Sequence, residues 1–259
     1  MPDQITLTAL KDLPLVGDGD DLCDLIAQGL ARDDLQLQDG DILVVAQKII
    51  SKAEGRTVDL ARVSPGTEAK KLAEAVQKDP RIVELILSES KSIIRQKTGI
   101  LIVEHKRGWI MANAGIDASN VGSVGGQENV LLLPVDPDKS AAALRDSLMK
   151  RFGCDVAVVI SDSFGRPWRL GTTGVAIGAA GLPSLWDRRG ETDLFGRELL
   201  VTQQAIGDEV ATAASLLQGQ TSEGKPVVLV RGFHFAAYPS ATARPAADLI
   251  RDISEDMFR

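Results

Sequence analysis

The chain has 259 residues, 44% of them apolar and 25% charged. That mixture excludes disordered and fibrous classes and fits one domain at its upper size or two small lobes folded together. Its net charge of -7 argues against sequence-independent nucleic-acid binding, which needs a broad basic face. No run approaches ~18 consecutive apolar residues, so no membrane-spanning helix is expected. The acidic residues and interrupted apolar pattern of 1–19 do not make a signal peptide. Cys23 and Cys154 stand apart, giving neither a disulfide framework nor a zinc pattern. A cytoplasmic enzyme or binding protein is the class left.

Helix and strand signals alternate, the pattern of a mixed α/β (α+β) protein. Asp20 and Asp21 precede Leu22, Leu25, Ile26 and Leu30, a helical spacing with capping residues ahead of it. The apolar run 42–50, bounded by Gly40 and Ser51, reads as a buried strand. Asp79-Pro80 opens a helix whose Ile82, Val83, Ile86 and Leu87 share a face. Residues 100–105 and 109–113 read as strands joined by a tight turn at 106–108, and 130–134 as a further strand. Asp138 is expected to cap a helix that runs toward Lys150 and stops at Gly153. The strand 156–160 then delivers Ser161, Asp162 and Ser163 at its C-terminal end. A helix around 208–217, a strand 227–230 and a C-terminal helix from Pro245 follow. The last carries Ala246, Leu249, Ile250, Ile253 and Met257 on one stripe. There is no internal repeat and no disordered linker, so the expectation is one unit over 1–259 built of two inseparable lobes.

No standard nucleotide loop is present. The glycines at 171, 174, 178 and 181 are not followed by Gly-Lys-Ser/Thr and lack the distal acid of a dinucleotide fingerprint. Close backbone packing is their simpler reading. His105 and His234 are far apart in sequence and make no histidine metal centre, so each reads as an ordinary polar residue. What is left is oxygen-ligand chemistry. In 112–120, small residues after a strand present Asp117, Ser119 and Asn120. In 160–169, Asp162 leaves a buried strand while Arg166 and Arg169 bracket a rigid Gly/Pro/Trp turn. A carboxylate from each segment plus a hydroxyl could hold Mg²⁺ or Mn²⁺, although the same carboxylates could simply cap turns. Residues 218–225 combine glycines, amides and hydroxyls ahead of a strand, which can form an anion-binding nest or simply a solvent loop. Lys48 and Lys52 flank the end of the first buried strand, where a lysine can meet phosphate as a point charge.

Taken together, VVAQKIISKAEGR (44–56), ANAGIDASNV (112–121), SDSFGRPWRLGTTGVAIGAAG (161–181), DLFGRELLVTQQAIGDEVATAASLLQGQ (193–220), PVVLVRG (226–232) and LPLV (13–16) resemble the GTP-dependent coenzyme F420:L-glutamate ligase family. The resemblance runs in order over most of the chain. It implies a cytoplasmic enzyme of two intimately packed α/β subdomains in an intertwined homodimer, with small-molecule substrates and neither nucleic acid nor membrane as partner. The implied reaction joins L-glutamate to the carboxylate of the deazaflavin precursor F420-0, with GTP split to GDP and phosphate. An acyl phosphate is the implied intermediate, and further γ-linked glutamates can follow. Mg²⁺ or Mn²⁺, two ions in all, and K⁺ are the implied cofactors.

Carried over residue by residue, the resemblance makes Asp117, Asp162 and Ser163 metal ligands and Gln220 a ligand to a second metal. Leu13, Pro14, Leu15, Val16, Gln47, Lys52 and Asn120 would line the GTP site. Gln218, Gly219, Gln220, Thr221, Ser222, Glu223, Gly224 and Lys225 would form a further nucleotide segment. Asp117 and Asp162 would anchor the ions, while Lys52, Arg166 and Arg169 would offset the phosphate charge. The chain ends at Arg259 without the nitroreductase-like extension of the fused forms, so the chemistry of that extension is not expected. A related ligase with a different phosphorylated acceptor, a metal-dependent phosphohydrolase and a non-catalytic phospho-ligand module are the competing readings.

Overall fold

In the computed structural model, which describes residues 4–122, 128–233 and 240–257, the first half of the chain forms β1 (Thr6–Ala9), α1 (Leu22–Arg32), β2 (Ile42–Ala46), α2 (Gln47–Ala53), β3 (Thr57–Asp59), α3 (Thr67–Val76), α4 (Pro80–Ser88), β4 (Ser90–Lys97), β5 (Ile100–His105) and β6 (Ile110–Ala112). The second half forms β7 (Asn129–Leu131), α5 (Pro137–Phe152), β8 (Ala157–Arg166), β9 (Arg169–Ala180), β10 (Trp186–Asp187), β11 (Gln203–Gln204), α6 (Ile206–Gln218) and β12 (Val227–Arg231). His234 lies outside the described residues.

Five strands make the main sheet in the order β1-β12-β2-β8-β9. Only β2 and β8 run parallel; the other pairings are antiparallel. Its central runs are apolar on both sides because both faces are covered. Leu43, Val45, Val158, Ile160, Val227 and Leu229 face a core shared with α1, α2 and α5. Their neighbours Ile42, Val44, Ala157, Val159, Val228 and Val230 face a second core under α6, closed by Trp186. Each of the Val, Leu and Ile side chains among them, buried completely, contributes about 1.5–3 kcal/mol. A smaller antiparallel sheet, β4-β5-β6, carries Leu101 and Val103 on the face that packs against Ala69, Ala73 and Val76 of α3 and Val83 and Ile86 of α4. The mixed α and β architecture agrees with the expectation from alternating signals.

Local chemistry explains the element ends. Asp21 caps α1 by accepting the Asp24 N–H, and Asp79 with Pro80 opens α4. Gly153 closes α5 in the left-handed conformation at φ 70°, where a Cβ would cost energy. The β8–β9 ladder contains a register shift at Ile160/Ser161. The shift leaves the Ala176 N–H to the Asp208 carboxylate of α6 at 2.9 Å. Gly174 and Gly178 are places of close approach: a Cβ at Gly174 would meet the Ala211 carbonyl oxygen at 2.3 Å, and one at Gly178 the Pro137 carbonyl oxygen at 2.4 Å. The packing reading holds at these two glycines.

Four sequence expectations are corrected. The run 42–50 is a strand only to Ala46; α2 then begins at Gln47. An apolar run of that length has no periodicity to separate strand from helix, and Ile49 and Ile50 reach the core from the helix instead. The cap of α5 is Asp136, which accepts the Lys139 N–H. Asp138 reaches away to accept the N–H groups of Ala179, Ala246 and Ala247. The strand carrying Ser161, Asp162 and Ser163 does not end before them; it runs on to Arg166 and turns back into β9. The chain after Pro245 forms two 3-10 turns, Ala246–Leu249 and Ile253–Glu255, in place of a helix. An apolar stripe needs a surface to bury it, and here Ile253 is 64% and Met257 88% exposed.

Candidate active site

Strand direction brings the scattered segments together. Parallel β2 and β8 point their C-terminal ends at one edge of the main sheet, and β1 runs the same way because two antiparallel steps separate it from β2. The segment after β1, the first turns of α2, the Ser161–Ser163 stretch of β8 and the loop that enters antiparallel β12 therefore meet at that edge. The carboxyl ends of strands are the usual place for ligands in such sheets. The cleft they form has a volume of ≈ 800 Å³ and is lined by residues 13–18, 46–49, 52, 57, 117, 119–122, 161–163, 174, 215 and 218–226.

The floor is built by the carboxylates. Asp117 is fixed through its backbone, which exchanges both hydrogen bonds with Leu131 of β7, and its side chain accepts the Ser119 N–H at 2.6 Å. The Lys48 ammonium lies 2.6 Å from its other oxygen. Burial works to raise the Asp117 pKa, but the Lys48 and Ser119 donors outweigh it and hold the carboxyl below its ordinary range. Asp162 responds oppositely: burial pushes it up to about 7, the Ser163 N–H pulls against that, and the Asp117 charge adds to the rise. The charge of Asp117 is thus felt at Asp162.

The walls are hydrogen-bonded to one another. Gln220 donates to the Ser163 hydroxyl at 2.9 Å, Ser161 donates to Gln218 at 3.2 Å, and Asn120 donates to the Thr221 carbonyl at 2.8 Å. Lys52 donates to the Asn120 carbonyl at 2.8 Å, and burial first, then the Lys48 charge, lowers its pKa. The Thr221 N–H and hydroxyl both bond to Glu223, closing the loop 218–225 on itself. Leu13 and Val16 pack on the core beneath, while Leu15 projects at the mouth, 95% exposed.

Of the expected site residues, Leu13, Pro14, Leu15, Val16, Gln47, Lys52, Asp117, Asn120, Asp162, Ser163 and the whole of 218–225 line this one cleft. Gln47 is buried and spends its side-chain oxygen on the Ser51 hydroxyl one turn along α2. Arg166 and Arg169 do not come with the rest. They pair across the β8–β9 turn, exposed and outside the cleft lining, because β8 continues past Asp162 and carries them outward. Lys48, read from the sequence as a lysine able to meet phosphate, and Ser119, read as a polar group presented after a strand, also line the cleft, as do Ser161 and Thr57, to which the sequence assigns no role. What the sequence does not show is the pairing of Lys48 with Asp117; the spacing of Lys48 to Lys52 becomes one helix face only once α2 is read as a helix.

The residues fit a hard divalent cation in kind: two carboxylates, a hydroxyl and an amide offer oxygens and no soft ligand. They do not make a complete cage. Among the described residues no group of three or more His, Cys, Asp or Glu side chains gathers to hold a metal, so an ion here would need oxygens from its ligand or from water.

Comparison with known proteins agrees in one direction. The family model described as F420-0:Gamma-glutamyl ligase matches residues 11–232. Proteins named coenzyme F420:L-glutamate ligase are similar along almost their full length. That of Methanothermobacter thermautotrophicus is 44% identical over 98% of this chain and 99% of its own. That of Methanopyrus kandleri is 46% identical over 96% and 97%, and that of Halobacterium salinarum 41% over 97% and 94%.

Proposed function

This chain belongs to the F420-0:gamma-glutamyl ligase family and is an enzyme, and from that premise we propose that it forms an amide bond between L-glutamate and the carboxylate of F420-0 in the cytoplasm, using GTP. Repeated turnover on the product would add γ-linked glutamates. The observation that carries the reading is the meeting of Asp117 and Asp162 with Lys48, Lys52 and the 218–225 loop in one cleft of ≈ 800 Å³, a size suited to a nucleotide or drug-sized ligand.

A carboxylate is a poor acyl electrophile. Transfer of the γ-phosphoryl group to one of its oxygens gives an acyl phosphate and GDP; the amine of glutamate then displaces phosphate. Such transfer asks the protein for alignment and charge neutralisation more than for covalent work. Lys52 lies at the cleft with its ammonium already turned inward to the Asn120 carbonyl and would meet phosphate oxygens there. The linked amides and hydroxyls of Asn120, Gln220 and Thr221 hold the loop in the shape that would wrap the nucleotide. Leu13 to Val16 supply an apolar lip. Asp117, Asp162, Ser163 and Gln220 would hold Mg²⁺ or Mn²⁺, which when bound supplies positive charge at the phosphate oxygens; K⁺ is the further cation expected. Large apolar side chains left in solvent, Leu170 and Leu194 at 99% and Phe195 at 95% exposed, support a homodimer that covers them.

The test is mass spectrometry of F420-0 incubated with the protein, glutamate, GTP and Mn²⁺. Added glutamyl masses that require GTP are expected. GTP hydrolysis at full rate without glutamate, and no added mass, would refute the reading in favour of a phosphohydrolase.

A further inference from the structure

We propose that Lys48 is an internal counter-ion that competes with the divalent cation for Asp117 and yields the carboxylate when phosphate oxygens arrive, so that metal and nucleotide bind cooperatively. The inference rests on the reading of Asp117 as a metal ligand.

The Lys48 ammonium has three protons and three oxygen acceptors: the Asp117 carboxylate at 2.6 Å, the Ser119 hydroxyl at 2.8 Å and the Ser119 carbonyl at 3.1 Å. A cation held in a shell of oxygens at the floor of the cleft already neutralises the carboxylate that a divalent ion would need. Such an ion gains little by entering while the ammonium stays, because it meets an occupied ligand and a repelling charge a few ångströms away. The cleft offers it Asp162 as a second carboxylate, and among the described residues no group of three or more His, Cys, Asp or Glu side chains gathers to hold a metal. Alone, therefore, the protein is a weak metal site.

Phosphate changes the balance. Lys48 and Lys52 stand four residues apart on α2 and share its cleft face. Like charges so placed disfavour each other, and the lowered pKa of Lys52, caused by burial and then by Lys48, reflects that. A polyphosphate entering beside them relieves this repulsion and gives the Lys48 ammonium new acceptors on its flexible four-carbon stem. Asp117 is then free for the metal, and each ligand favours the other by the same factor, as linkage requires.

Mn²⁺ titration of the full-length protein, followed by the paramagnetic resonance of free Mn²⁺ with and without GDP, tests this without turnover. Lys48→Met is expected to bind Mn²⁺ about 10-fold more tightly than the parent when no nucleotide is present, and to lose most of the tightening that GDP brings. Lys48→Arg, which keeps the charge, should retain the weak binding of the parent. Mn²⁺ affinity unchanged in Lys48→Met, with a native circular-dichroism spectrum and with Asp117→Asn still weakening the site, would overturn the counter-ion role alone. Unchanged Mn²⁺ binding in Asp117→Asn with GDP present would overturn the metal assignment and the counter-ion role with it.

Discussion

Replacing Gly174 with alanine should loosen the cleft from behind, through the helix that forms its rear wall. Gly174 lies on β9 opposite Ser163. A Cβ there would stand 2.3 Å from the Ala211 carbonyl oxygen, 2.7 Å from its carbonyl carbon and 3.1 Å from the Ser215 Cβ. Carbon and oxygen approach to about 3.3–3.6 Å, so α6 must retreat by about 1 Å. The obstacle is helix backbone, which cannot rotate aside, and the cost belongs at the upper end of overpacking, about 3 kcal/mol. For a chain of this size that is a fall in Tm of about 6–12 °C. The same retreat carries Gln218 away from Ser161, 3.2 Å from it at present, so the KM for GTP should rise as well. Gly153→Ala is the control: it imposes the left-handed conformation on an alanine, φ 70°, with nothing within 4 Å of the new methyl. That costs about 1 kcal/mol and leaves the cleft alone. Calorimetry and steady-state glutamylation on both variants decide the matter. Equal Tm losses in the two, or an unchanged KM in Gly174→Ala, would refute the reasoning.

Three further outcomes are expected. Asp117→Asn and Asp162→Asn should each abolish GTP-dependent glutamylation while leaving the far-ultraviolet spectrum intact; near-normal turnover in both would remove them from the reaction. Lys52→Ala should raise the KM for GTP far more than that for glutamate, since its ammonium holds the Asn120 carbonyl and Asn120 in turn holds the 218–225 loop through Thr221; an equal rise in both speaks against a nucleotide role. His105 should impose a pH dependence on stability. Burial first, then the charges of Arg107, Lys106, Arg56 and Lys91, hold its pKa down at about 4 against an ordinary 6.5. The unfolded chain therefore takes up the proton first, and stability present above pH 6.5 is lost as pH falls toward 4. His105→Gln, able to keep the Arg107 N–H bond made at Nδ1, should show a shallower loss in denaturant midpoint over that window; parallel curves would exclude the effect.

The correction at α2 shows how one local ambiguity propagates to a site. In residues 42–50 the two polar residues, Gln47 and Lys48, stand side by side and set no period that separates strand from helix, so Lys48 and Lys52 could be placed near a strand end but not on one face. Once the helix starts at Gln47, their spacing of four makes them neighbours, and Lys48 becomes the partner of Asp117. Arg166 and Arg169 show the reverse. Their motif is as distinctive as any in the chain, yet β8 continues through Asp162 in a ladder with β9 and takes both arginines away from the cleft. Strand length there depends on partners distant in sequence, and no local pattern announces it.

By itself the sequence determined what is carried by composition, short-range pattern and long ordered motifs. These are the mixed α and β class, the caps at Asp21 and Asp79, the stop at Gly153, the family and the residue types able to bind a hard cation and phosphate. Periodicity and capping act over a few residues, so a single chain displays them. The tertiary structure alone decided that residues from positions 13 to 225 share one cleft, through the common direction of β1, β2 and β8. It also set opposite protonation tendencies for Asp117 and Asp162, although the sequence presents both as aspartates that follow an apolar strand. Those tendencies come from burial and from the Lys48 ammonium, which depend on which surfaces meet when the sheet closes.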